Sequence, residues 1–150
     1  MQKNIFSFFI FFLILGCCIP ELSFSENALV QFEIDKALDN PKIIKAIDQD
    51  IRLYWDGEKH PNIKTNFGEF KTSKRTNKFG KSREKACQWA LASAINVLQK
   101  RARREGGNAV VDIKSNIQNK EFSSPDSYEC LCGFMMVNIA LKGTVVKLAE

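Results

Sequence analysis

The clearest periodicity in the chain lies between Ser82 and Glu105, where Cys87, Leu91, Ala94, Ile95, Leu98 and Ala102 recur at spacings of three and four. Such spacing lines one face of an α-helix. Glu84 sits in the first turn, Lys100, Arg101, Arg103 and Arg104 crowd the last, and Gly106-Gly107 follows. Charges of those signs complement the helix dipole and glycine is the expected stop, so a long helix is predicted over 82–105. Elsewhere the period is two. Ile51 to Trp55 predicts a strand, Phe67 to Thr72 a second, and Ala109 to Lys114 a third with Val111 and Ile113 inward and Asp112 and Lys114 outward. From Tyr128 to Leu148 the positions Met135, Val137, Ile139 and Leu141 share one phase, whereas Val146 and Leu148 fall on the other. A change of phase calls for a register shift, and Gly143 is the expected site of a bulge. Asn40-Pro41 predicts a helix start, with Asn as cap and Pro in the first turn, followed by a short apolar stripe of Ile43, Ile44 and Ile47. Strands, one long helix and further strands predict an α+β domain: one long helix packed on a small antiparallel sheet.

The first residues follow a different rule. Met1 to Asn4 carries one positive charge, Ile5 to Gly16 is almost wholly Phe, Ile and Leu, and Ser23-Phe24-Ser25 ends in small residues at alternate positions. That order is the signature of a cleaved export signal, with cleavage between Ser25 and Glu26. Its apolar run falls short of the ~20 residues of a spanning helix. A rival cut lies at Ile14-Leu15-Gly16-Cys17, an approximate lipoprotein box that would anchor the chain through Cys17. The expected organisation is a signal peptide over 1–25, an N-terminal lead with a short helix and strand over 26–64, and the α+β core over 65–150. A periplasmic or secreted location is expected, with no transmembrane segment in the mature form.

Export changes how the cysteines read. Cys87, Cys130 and Cys132 would remain in an oxidising compartment, where a structural disulfide is the ordinary outcome. Cys87 opens the long helix and Cys130 begins the last strands, so helix-on-sheet packing can join them. Cys130 and Cys132 share a strand face, so either could be the partner, and Cys132 is otherwise left as a free thiol. A C-x-C pair with a third thiolate also suits a soft metal such as Cu(I), although the sole histidine, His60, lies in a distant loop.

The chain carries a formal charge of +5, which suits acidic partners without identifying one. The excess concentrates in Lys71, Lys74, Arg75, Lys78, Lys81, Arg83 and Lys85, with Phe79 among them and only Glu84 opposed. Basic residues with an interleaved aromatic can hold a nucleic acid or another polyanion, and a solvated loop leading into a charged helix start is the plainer alternative. Gly80-Lys81-Ser82 has the end of a phosphate-binding loop, but the glycine that the pattern needs five residues earlier is Arg75. No G-x-S-x-G or H-E-x-x-H is present, and Asp48, Asp50, Asp56 and Glu58 cluster without a spacing that fixes paired acid–base work. Trp55 and Trp89 read as packing residues.

Cys87-Gln88-Trp89-Ala90, Leu98 to Ala102, Gly106 to Val111, Tyr128-Glu129-Cys130 and Leu141 to Leu148 together resemble a family of small exported bacterial proteins of unassigned role, sometimes labelled excinuclease ATPase subunits. The failed phosphate loop and the absence of zinc-finger cysteines speak against that label. More distantly, a helix running into Gly-Asn-Ala-Val-Val and then paired strands resembles the YbjQ/RcsF-like domains over about residues 65–148. That resemblance implies a compact β-α-β-β domain and, by analogy, disulfides in an envelope sensor. Three mature cysteines are too few for two bridges, a departure from that pattern. The expectation is a non-catalytic exported envelope protein acting as an interaction or stress-related module. Its partner would be an unknown envelope protein or an anionic surface, with no nucleotide and no cofactor. The alternatives are a basic-surface binder of nucleic acid, lipid or polysaccharide, and a cysteine-based metal or redox site.

Overall fold

A computed structural model describes residues 27–149. The expected signal segment, its cleavage position at Ser25 and Glu26, and Cys17 lie outside the described residues. The chain runs β1 (Ala28–Glu33), α1 (Ile34–Leu38), α2 (Pro41–Ile44), β2 (Arg52–Trp55), β3 (Ile63–Asn77), α3 (Arg83–Glu105), β4 (Ala109–Ile117), β5 (Lys120–Phe122), β6 (Ser127–Cys132) and β7 (Met136–Leu148). The strands form one curled sheet in the order β1-β6-β7-β4-β2, with β3 on the other edge of β7 and β5 beside β4.

This architecture corrects the expected small antiparallel sheet. Strand makes up 46% and helix 26% of the described residues, and the sheet has seven strands of mixed direction. One cause is β2, which pairs parallel to β4. Parallel neighbours need a long crossover, supplied here by β3 and α3. The other is β3, a strand that the sequence suggests over only 67–72 but which pairs with β7 from Ile63 to Asn77. Its basic residues obscured it. An edge strand tolerates them, and charge on its rim discourages pairing with other chains.

Helix α3 forms as its pattern requires. The Ser82 hydroxyl accepts from the Lys85 amide at 3.2 Å, and Gly106 ends the helix with a φ of +80°, a conformation that favours glycine. Its apolar face, Leu91, Ile95 and Leu98, packs on Val110, Ile113, Val137, Ile139, Leu141 and Val145 from the sheet. The N-terminal segments are fastened to the same helix. Gln99 is buried, donating to the Asp48 and Ile51 carbonyls and accepting from the Asp48 amide, while Asn40 caps α2 and donates to Gln88 at 3.1 Å.

The two hydrophobic phases of the last strand need no bulge at Gly143. β7 alternates without an extra residue of its own, with Val137, Ile139, Leu141 and Val145 facing α3 and Val146 and Leu148 facing a second core of Ala109 and Val111, flanked by Tyr54. The irregularities fall on its neighbours: on β3 between Ile63 and Thr65 and between Asn66 and Gly68, and on β4 between Val111 and Lys114, where Asp112 has a φ of +53°. The β4 shift turns Val111 and Ile113 onto opposite faces, contrary to simple alternation. Gly143 answers to space instead: a Cβ there would lie 2.8 Å from Val110 Cγ1 and 3.2 Å from Ile113 Cγ1. Met135, expected inward, is in the β6–β7 loop and exposed.

Candidate functional site

Helix α3 and strand β6 bring the three cysteines together beneath the sheet. Cys87, on the first buried turn of α3, is bonded to Cys130 of β6. Cys132 is a buried free thiol, its Sγ 3.6 Å from Cys87 Sγ and 3.9 Å from Cys130 Sγ. The shared face follows from the strand period, since residues two apart on β6 both point at the helix. Burial pushes the Cys132 thiol up, and Arg83 and Lys78 pull it back only in part. All three sulfurs lie within 4.8 Å of one another, a spacing at which three thiolates could meet one soft ion. With Cys87 and Cys130 bonded, however, a single thiol remains to ligate, so the cluster would take a metal only after reduction. His60 is no part of it; its ring sits edge-on to Tyr54 at 5.7 Å.

The basic cluster is a stripe rather than a patch. Lys71, Lys74 and Arg75 lie within β3, Lys78 and Lys81 in the turn that follows, and Arg83 at the start of α3. Cross-strand partners share a face, so Lys74, opposite Ile139, lies on the helix side, whereas Lys71 and Arg75, opposite Lys142 and Asn138, lie on the open side. Lys71 borders Lys100, Arg101 and Arg104 of the C-terminal half of α3. The ion pairs among the described residues engage Lys36, Arg101, Arg103, Arg104, Lys114 and Lys142, and none of the six cations from Lys71 to Arg83.

At the far end of β3 the chain assembles something the sequence did not suggest. The Lys78 amide donates to the Met135 carbonyl at 2.9 Å, so the β3–α3 turn and the β6–β7 loop stand side by side. Phe79 is 92% exposed, Phe134 82%, Met135 69% and Met136 44%. They flank a shallow cleft of about 220 Å³ with Asn77 and Lys78. The signal was present in Gly133-Phe134-Met135-Met136, but apolar residues between two strands read most simply as more strand. The Gly80-Lys81-Ser82 segment belongs to the same end. Strand β3, none of whose residues is fully buried, runs into it with Arg75 paired to Asn138, which leaves only Lys78 to Ser82 as connection. The Lys81 ammonium donates to Asn77 and Ser82 caps the helix.

The carboxylates that cluster in sequence serve the fold separately. Asp48 and Asp50 hold Arg103, and the Glu58 carboxylate accepts from the Trp55 amide. Asp56 accepts from Ser123 and pairs with Lys114 at 3.2 Å. On the same open face Lys142 bridges Glu69 at 2.8 Å and Glu121 at 2.5 Å. The Ser123 hydroxyl, then Lys114, holds the Asp56 carboxyl below its ordinary range, as Lys142 does for Glu121. Beside this network a groove of about 430 Å³ runs between β3 and the β4–β5 turn, lined by Lys71, Ser73, Arg75, Gln118, Leu131 and Asn138 among others. Trp55 is buried in the main core, and Trp89 is half-buried.

No family model, curated protein or solved structure matches the chain. No described helix is long and apolar enough to cross a membrane.

Proposed function

We propose that the protein is a binding domain of the cell envelope that acts through its surface, holding a polyanionic partner against the end formed by the β3–α3 turn. The observation that carries this reading is the set Arg75, Lys78, Lys81 and Arg83 at the end of β3 and the start of α3, bound to no carboxylate among the described residues, with Lys78 beside the exposed Phe79. Charges kept solvated and unpaired attract anions at long range, and that attraction weakens as salt rises. The export signal read from the first residues and the disulfide support an envelope setting. The test is a salt titration of binding to inorganic polyphosphate, with the triple variant Lys78→Gln, Lys81→Gln and Arg83→Gln beside the parent. Binding that falls steeply with salt and is lost in the variant supports the reading. Salt-independent binding, or none, refutes it.

A second reading has its own observation, the 3.6 Å between Cys132 Sγ and Cys87 Sγ. Once deprotonated, Cys132 can attack Cys87, forming a Cys87–Cys132 bond as the Cys87–Cys130 bond breaks and Cys130 leaves as a thiolate that takes up a proton. Electrons balance without an outside oxidant, so the bridge can migrate within the cluster. Digestion and mass mapping of the bridged peptides test this, and a single Cys87–Cys130 linkage after prolonged incubation at high pH would refute it.

A further inference from the structure

We propose that the partner of the basic end is the surface of an anionic lipid bilayer, entered by the two adjacent loops that carry Phe79, Phe134 and Met135. The inference rests on the polyanion reading above and deepens it by naming the partner.

The arrangement has two parts that one ligand must satisfy together. The first is apolar: Phe79 and Phe134 are almost wholly exposed and Met135 largely so, on neighbouring loops joined by the Lys78–Met135 backbone hydrogen bond. Large apolar side chains exposed together, on loops whose backbones are otherwise fixed, mark an interaction site. These residues project from an end of the sheet rather than line a deep pocket, a shape suited to a soft interface rather than to a complementary protein knob. The second part is charge. Arg75, Lys78, Lys81, Arg83 and Lys85 stand against Glu84 within the same stretch of chain, and none of them has a carboxylate within ion-pair distance among the described residues. A soluble polyanion would use the cations and leave the aromatic and methionine side chains in water. An anionic membrane uses both, because lipid headgroups neutralise the basic rim while the acyl boundary receives the apolar tips. Lys and Arg stems also allow their charged heads to remain at headgroup level as the tips enter.

Each cation near such a surface strengthens binding by about fivefold, so neutralising Lys78, Lys81 and Arg83 is expected to weaken it by roughly a hundredfold. Removing both rings, Phe79→Ser with Phe134→Ser, is expected to weaken it by at least about tenfold. Phe79, Phe134 and Arg83 are exposed, Lys78 and Lys81 partly so, and none of the five belongs to either hydrophobic core, so the fold is not at stake.

The test is flotation of the full chain with vesicles of phosphatidylglycerol and phosphatidylcholine in equal parts, with pure phosphatidylcholine vesicles, and in parallel its binding to inorganic polyphosphate. All variants share one full-length background, so any contribution from the N-terminal segment is common to them. The expected result is preferential flotation with the anionic vesicles, lost in the double serine variant while that variant still binds polyphosphate as the parent does. Polyphosphate binding with vesicle binding indifferent to the two serines would overturn the bilayer inference and leave the polyanion reading standing. Equal flotation with neutral vesicles would overturn the inference through its charge requirement. Binding to neither vesicles nor polyphosphate would overturn both.

Discussion

The three-sulfur cluster permits a prediction in which two superficially equivalent substitutions behave differently. The Cys87–Cys130 bridge spans a separation of 43 residues, so by chain entropy its closure contributes about 4 kcal/mol. That is a large share of the ~5–15 kcal/mol that holds a domain together. Cys87→Ala removes the common partner and forfeits the whole term, plus roughly 1 kcal/mol of lost packing at a buried site. Cys130→Ala removes one partner but leaves Cys132, whose sulfur already lies 3.6 Å from Cys87 and 45 residues away in sequence. The replacement loop differs in closure entropy by less than ~0.1 kcal/mol, so this variant should lose only the packing term. Urea denaturation separates the two: with a slope of ~2 kcal/mol/M, the midpoint falls by about 2.5 M for Cys87→Ala and about 0.5 M for Cys130→Ala. Mass after alkylation supplies the mechanism. Among these three positions the parent should take up one label, Cys87→Ala two, and Cys130→Ala none. Two labels on Cys130→Ala, with stability as low as that of Cys87→Ala, would refute the reasoning.

Gly143→Ala places a methyl 2.8 Å from Val110 Cγ1 and should cost about 1–3 kcal/mol in urea, whereas unchanged stability would mean the bulged β4 yields easily. The Tyr128 hydroxyl is buried without a hydrogen-bond partner among the described residues, and burial pushes its pKa well above the ordinary value. Tyr128→Phe should therefore be neutral or raise stability by up to ~1 kcal/mol in thermal unfolding, and a clear loss would contradict this. The Glu121 carboxyl is held low by Lys142, so its folded pKa lies below the unfolded one. The stability it adds is complete above the ordinary carboxylate range and disappears as pH falls through the depressed value. The stability gap between the parent and Lys142→Met should thus narrow below about pH 4 in urea titrations; a gap that widens there would reverse the assigned sign.

How far the fold could be read from the residues depended on which faces are buried. Helix α3 was legible because one face alone meets the sheet, and its period, its Ser82 cap and its terminal charges all agree. β3 was not, since it meets the main core through Phe67 and Phe70 and its covered face otherwise carries Thr72, Lys74 and Thr76, while the other face is open; such a strand has no need of a strong apolar alternation. β7 misled for the opposite reason. Both its faces are covered near the C-terminal end, by separate cores, and two buried faces imitate a slipped register. The phase change lies instead at Asp112, and the sequence offers little to mark a non-glycine residue at positive φ. For the candidate site, proximity was the missing information. Phe79 and Phe134 are far apart in sequence, and the pairing of β3 with β7 sets their loops beside each other. Composition identified the cations, but only the strand pairing showed that Lys71 and Arg75 lie on the open face opposite Lys142 and Asn138, and that Lys78 stands beside the exposed rings.

Amide chemical-shift mapping tests the central claim most directly, with uniformly labelled protein titrated against small bicelles containing phosphatidylglycerol. The account predicts progressive shifts and broadening confined to Lys78 to Arg83 and Gly133 to Met136, reduced by added salt. Shifts centred on the open-face groove around Ser73, Gln118 and Leu131, or none at either loop, would contradict it.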